Sequence, residues 1–254
     1  MVNLAVMLLI VVGGLGFLTW RDIASRCLRF QEYRLQSKLI LVTTAALLLS
    51  GFLFFLLYEF RLPQWEGLSP GDRVLAALFQ SVTPRTAGFN TVELSRMSEA
   101  SQLVTILLML TGGSPGSTAG GFKTTTFAVL LLSAAAVFRR RRSAQCFGRR
   151  VQEGALQNAC AIFLLYLLLF LTGGILICCA DGVSLMDALF EAASAIGTVG
   201  LSLGGTARFS LFSRSVLIFL MYFGRVGGLT LIYAVTAGNG ITASQFPQEP
   251  VTVG

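Results

Sequence analysis

Histidine is missing from all 254 residues. That removes the commonest general base and the commonest transition-metal ligand, and most enzymatic sites become hard to assemble without them. Charge is scarce, at 12% of the chain. The five cysteines are scattered, with Cys178 and Cys179 adjacent, so they spell out neither a disulfide framework nor a spaced metal motif. What remains is apolar: 54% of the residues are hydrophobic, in several runs long enough for the roughly 30 Å bilayer core, which takes about 20 helical residues. The composition is that of an all-α integral membrane protein.

The net charge of +7 is concentrated in two connections. Arg21, Arg26, Arg29, Arg34 and Lys38 fall in one, and Arg139 to Arg142, Arg149 and Arg150 in the other. The positive-inside rule makes both cytoplasmic and the chain a multi-pass protein of the cell membrane. Between them, Glu59 to Gln102 carries five acids against four arginines and is expected outside. The run RRRR reads first as a topological anchor; an acidic partner or anionic membrane lipid is the alternative, and nucleic acid the weakest reading.

An apolar span covers residues 2–19, with no basic residue before it and Arg21 directly after it. That is the reverse of a signal peptide. Its amino end is expected outside, so it reads as the trailing helix, 1–20, of a pore unit that precedes it. The expected plan then runs as a cytoplasmic loop (21–37), a unit (38–138) whose last helix is interrupted, a basic cytoplasmic loop (139–154), a second unit (155–236) and a cytoplasmic tail (237–254). The two units are copies. "ALFQSVTPRTAGFN" overlays "ALFEAASAIGTVGLS" once one residue is inserted, after which Gly88 matches Gly200 and Gly112 matches Gly224. Each copy reads as helix, re-entrant pore helix plus loop, helix, and such a repeat determines the architecture. Two crossings per copy return the chain to one side, so the copies are related by a pseudo-symmetry axis along the membrane normal. Inverted repeats, one common plan of secondary transporters, are arranged otherwise.

A half-helix that returns as extended chain leaves carbonyls without partners, tolerable in a membrane only inside protein or beside water. Carbonyls aimed at a shared axis can replace the hydration shell of a monovalent cation, and Gly88 and Gly200 allow the positive φ that such inward turns need. Neither loop carries matched acids, so selectivity would rest on backbone oxygens and favour potassium-like ions over divalents. Asp187 and Glu191, four apart on the second short helix, either draw cations to the mouth or form an ordinary hydrogen-bonded face.

The stretch "MLTGGSPGSTAGGFKTTTF", residues 109–127, interrupts the span from about Gln102 to Phe138. Pro115 removes a backbone donor, Gly112, Gly113, Gly116, Gly120 and Gly121 weaken helix continuity, and Ser114, Ser117 and Thr118 can bond the freed carbonyls. A small-xxx-small packing face at Gly112, Gly116 and Gly120 is the alternative. A phosphate loop fits poorly, because the lysine falls one place late and no strand precedes it. Lys123 either acts here or snorkels to the interface. Arg225, near mid-span in the last helix, must face the bundle interior or a wet cavity.

"SVTPRTAGFNT" and "FEAASAIGTVGLS" closely resemble the third and fourth filter segments of the Ktr/Trk potassium-uptake superfamily, particularly its Ktr-type membrane subunit. "GGLGF" at 13–17, "GGSPGSTAGGFKT" at 112–124, "GRVGGL" at 224–229 and the end "FPQEPVTVG" are similar to its second-unit helix, gate loop, fourth-unit helix and terminus. The resemblance implies potassium uptake, with sodium as an activating or coupling ion, and no other cofactor. It implies a filter of Thr86, Ala87, Gly88, Phe89, Thr198, Val199, Gly200 and Leu201, and a gate formed by residues 112–118, 120, 121, Lys123 and Arg225. It also implies a homodimer, a cytoplasmic ring of nucleotide-binding regulatory subunits, and two further pore units from a longer or neighbouring chain. An ion-coupled transporter of a small solute and a non-conducting assembly fragment are the competing readings. An enzyme built on Ser117 and Lys123 comes last, since nothing places them together.

Overall fold

The computed structural model describes residues 1–26, 29–141 and 143–227. The end of the last expected span (228–236), the last two residues of "GRVGGL" and the tail 237–254 lie outside the described residues. The helices are α1 (Val2–Gly14), α2 (Phe17–Arg26), α3 (Leu35–Leu57), α4 (Pro70–Val82), α5 (Glu99–Leu110), α6 (Thr124–Phe138), α7 (Glu153–Asp181), α8 (Leu185–Ile196) and α9 (Leu211–Val226). Among the described residues two helical segments, Leu35–Arg61 and Gly154–Asp181, are by themselves long and apolar enough to cross a membrane.

Serine starts four of these helices. Ser69, Ser98, Ser184 and Ser210 each accept a hydrogen bond from the backbone N–H three residues on, at Asp72, Ser101, Asp187 and Ser213. Each cap satisfies one of the orphan donors of a first turn, a contribution of about 1 kcal/mol. Pro70 at the first helical position reinforces α4, its fixed φ suiting the first turn.

A carboxylate at the end of each of the two long helices ties it to a later helix. Glu59, after α3, accepts from the Ser98 hydroxyl at 2.7 Å, the Ser98 N–H at 3.3 Å and the Trp65 indole at 2.7 Å. Asp181, at the end of α7, accepts from the Ser210 N–H at 3.1 Å. The acid after α3 thus anchors the cap of α5, and the acid at the end of α7 that of α9. The core between the units is built on α8, whose Ala188, Ala192, Ala193 and Ala195 are buried and whose small side chains let α5, α7 and α9 approach closely. An aromatic chain crosses it: Phe122 stacks edge-on with Phe163 and Tyr166, and Tyr166 with Phe223.

The span expected over residues 2–19 is not one helix. α1 stops at Gly14, and α2 leaves at 93°. The break sits against the distant 111–123 loop: Gly16 has φ +79°, and a side chain there would run into the Pro115 carbonyl. The broken ends are used instead, with Gly14 O accepting from Ser114 N at 3.0 Å and Gly116 O accepting from Phe17 N at 3.4 Å. The loop expected over 21–37 therefore contains the end of α2 and the start of α3. Asp22 joins them, accepting from the Ser37 hydroxyl at 2.7 Å. The basic loop 139–154 is not featureless either, and it adds a strand pair to an otherwise helical chain: β1 (Gln145–Cys146) pairs antiparallel with β2 (Arg149–Arg150). Phe147 at its tip packs on Phe30, and both rings flank the Lys38 ammonium at 5.7 Å.

Candidate functional site

Two short helices, α4 and α8, each end in a loop with the same backbone signature. Thr86 and Gly88 have φ +59° and +72°, and Thr198 and Gly200 have φ +51° and +91°. Left-handed backbone at alternate positions rotates successive carbonyls the same way, and a threonine adopts it only under constraint. The constraint comes from hydroxyls at the helix ends. The Thr83 hydroxyl donates to the Phe89 carbonyl at 2.6 Å, and the Ser194 hydroxyl accepts from Gly200 N at 3.1 Å. Thr83 and Ser194 are matched positions, each just before the single-residue insertion.

The loops meet. A Cβ on Gly88 would run into the Val199 carbonyl oxygen, and one on Gly200 would lie 3.9 Å from the Gly88 Cα. Only glycine allows this approach with positive φ. Thr86, Ala87 and Thr198 are half-buried, Val199 and Leu201 buried, and Gly200 and Phe89 exposed. On one flank the chain leaves a polar recess of about 570 Å³, bordered by Asn90, Glu93, Asp187 and Arg208. Glu191, also at this recess, is buried at 5% exposure and accepts from Ser202 Oγ, Leu203 N and Thr206 Oγ1 at 2.5, 3.1 and 2.9 Å. Of its two sequence readings the hydrogen-bonded one describes it.

The 109–127 puzzle resolves into a closed loop between α5 and α6. Its neck is tied by a parallel bridge between Thr111 and Phe122, with Gly112 N donating to Phe122 O at 3.0 Å and Thr124 N to Gly113 O at 3.2 Å. Inside, Ser114 is fully buried; its carbonyl accepts from Ser117 N and Ser117 Oγ, and its hydroxyl from Thr124 Oγ1. Pro115 and Gly116 face the α1–α2 break, while Gly121 takes φ +70° at the return. Gly120 packs against the Thr198 side chain, where a Cβ would clash, so this loop touches the start of the second matched loop. Two cations hold it. Lys123 turns back to donate to Ala119 O, and Arg225 of α9 donates to Thr118 O. Gly224 brings α9 onto the carbonyl end of α8 at Ile196.

Sequence reasoning missed two groups here. In the sequence Arg85 stands among the outer charges, yet it is 3% exposed. Its guanidinium lies against Gly14 and reaches the Thr44 hydroxyl at 3.4 Å, while Nε and Nη1 have no hydrogen-bond partner among the described residues. Gln80, at the position matching Glu191, is fully buried with both amide atoms unpartnered among those residues. The available signal was the placement of both beside the T-x-G segment.

These features define a helical membrane protein organised around two matched loops and an interrupted helix. Residues 1–237 match the family TrkH, described as a cation transport protein, and the chain belongs to that family, whose members lie in the cytoplasmic membrane. It is 38% identical over 97% of its length to the potassium/sodium uptake protein NtpJ of Enterococcus hirae, covering 56% of that protein. It is 34% identical to the Ktr system potassium uptake protein B of Vibrio alginolyticus, over 97% of this chain and 54% of that one. The crystal structure of the potassium transporter TrkH from Vibrio parahaemolyticus superposes with a TM-score of 0.73 at 24% identity, over 92% of this chain and 52% of that one, a likeness of fold. The chain spans about half the length of the curated relatives it matches.

Proposed function

We propose that the chain supplies two of the filter-bearing units of a potassium uptake pore, arranged as parallel copies about the membrane normal. In this reading α4 and α8 are re-entrant pore helices, and Thr86 to Phe89 and Thr198 to Leu201 present backbone oxygens to a dehydrated cation. The observation that carries the reading is the shared left-handed pattern at Thr86/Gly88 and Thr198/Gly200, in two loops that touch. The relatives named for potassium and potassium/sodium uptake support the ion, with sodium as an activating or coupling ion. The 112–123 loop, held by Arg225 and Lys123 against Thr198, is the gate. Two filter segments do not surround an ion, so further units complete the ring; a homodimer of complete pores on a cytoplasmic nucleotide-binding ring is the assembly we infer from the resemblance.

The test is a fusion in which this chain replaces the matching part of the Enterococcus hirae relative, expressed in cells that cannot grow on low potassium. Growth is restored by the fusion and lost with Gly88→Asp or Gly200→Asp at equal membrane abundance. Growth that survives both substitutions overturns the filter assignment.

A further inference from the structure

A cavity of about 490 Å³ opens between α3, α5, α6 and α7, walled by Leu47, Phe54, Leu107, Phe127, Phe163 and Leu167. That volume falls within the roughly 300–1,000 Å³ of small-molecule sites. The cavity's two hydroxyls are already engaged: Ser50 donates to Leu47 O at 3.1 Å, and Thr111 donates to Leu107 O at 3.0 Å. A buried water needs two to four polar partners, and an ion needs more, so the lining selects hydrocarbon. Its mouth is apolar as well: Leu107 at its edge is 57% exposed, and Leu49, Leu53, Leu103, Leu164 and Leu168 on the same helices are exposed too, an apolar surface of the kind a bilayer covers.

The inner end of the cavity reaches the neck of the 111–123 loop, for Thr111 and Phe122 both line it and together form the bridge that closes the loop. We propose that one acyl chain of a bilayer phospholipid enters this cavity and braces the Thr111–Phe122 neck, making the loop sensitive to the shape of the surrounding lipid. The significance for gating rests on the pore reading above; the binding does not. An apolar cavity left empty loses dispersion contacts around its lining, and an acyl chain restores them without desolvating any polar group.

The test uses the fusion protein in vesicles doped with a phospholipid carrying a diazirine on one acyl chain, with photoadducts mapped by mass spectrometry. Adducts on residues 104–111 and 122–127 are expected at several times the frequency found on Leu164 and Leu168. Leu47→Phe with Val104→Phe, which fills the space, should reduce them several-fold; the milder Val104→Leu should give a smaller loss in the same direction. Adducts no more frequent than at Leu164 and Leu168, or indifferent to filling, overturn the site. For the brace, hydrogen exchange at the Gly112 amide is compared in straight-chain lipid and in lipid whose methyl branches widen the chain. Exchange should quicken several-fold in the branched lipid for the wild type and not for the filled variant; equal exchange in both lipids overturns it. Neither readout uses ion flux, so failure of the pore reading would leave these results intact, and the reverse also holds.

Discussion

Thr86 and Thr198 are β-branched residues held in backbone that ordinarily falls to glycine, at a cost of about 1–3 kcal/mol each. Hydroxyls from Thr83 and Ser194 and the contact between Gly88 and Val199 hold them there. Gly88→Ala is therefore expected to break the loop-to-loop contact and reduce ion flux at least tenfold in the fusion protein, while the helix content by circular dichroism stays unchanged. Arg85 behaves oppositely. Its guanidinium is buried with no carboxylate bonded to it among the described residues, and replacing a buried charge by an apolar side chain of similar length is often neutral or stabilising. Arg85→Met should leave the unfolding temperature in detergent unchanged or raise it; a drop equivalent to more than about 2 kcal/mol would mean that the charge is well satisfied. The demand for glycine at position 88 was legible in its T-x-G segment; the burial of Arg85 was not, for in the sequence it is one of four arginines balancing five acids, and its burial is decided by α1 and α3 packing over it.

At the scale of elements, the carboxylate clasps and serine caps hold each unit closed. Glu59→Gln keeps the shape but weakens charge-assisted bonds from Ser98 and Trp65, and should destabilise the protein by about 1–3 kcal/mol, seen as a lowered unfolding temperature. Asp181→Asn, at an exposed site, should cost less. The interrupted helix makes a sharper case. Arg225→Ala frees the Thr118 carbonyl, and hydrogen exchange across residues 112–123 should rise several-fold with no change across α7; unchanged exchange would mean the arginine does not hold the loop. The interruption itself was legible, because proline and glycines in an apolar run have few other physical uses. The break at Gly14–Gly16 was not. Residues 2–19 are apolar throughout, and what bends them is a carbonyl of the distant 111–123 loop, which no local pattern reports.

For the whole molecule, the correspondence of the two loops was legible because the same positive-φ backbone demands the same residue types, with Gly88 and Gly200 112 residues apart. The saturation of Glu191 was not, since it depends on Ser202 and Thr206 folding back to the α8 carboxylate, which no local pattern reports. The account as a whole stands on backbone oxygens from both loops coordinating a dehydrated alkali ion. Radiotracer rubidium uptake into vesicles tests it most directly, comparing the fusion protein with its Gly88→Asp and Gly200→Asp forms at equal reconstitution. Rapid uptake that excess potassium suppresses, and that falls to the level of empty vesicles in both variants, is the predicted result; uptake that persists at the original rate in either variant would contradict it.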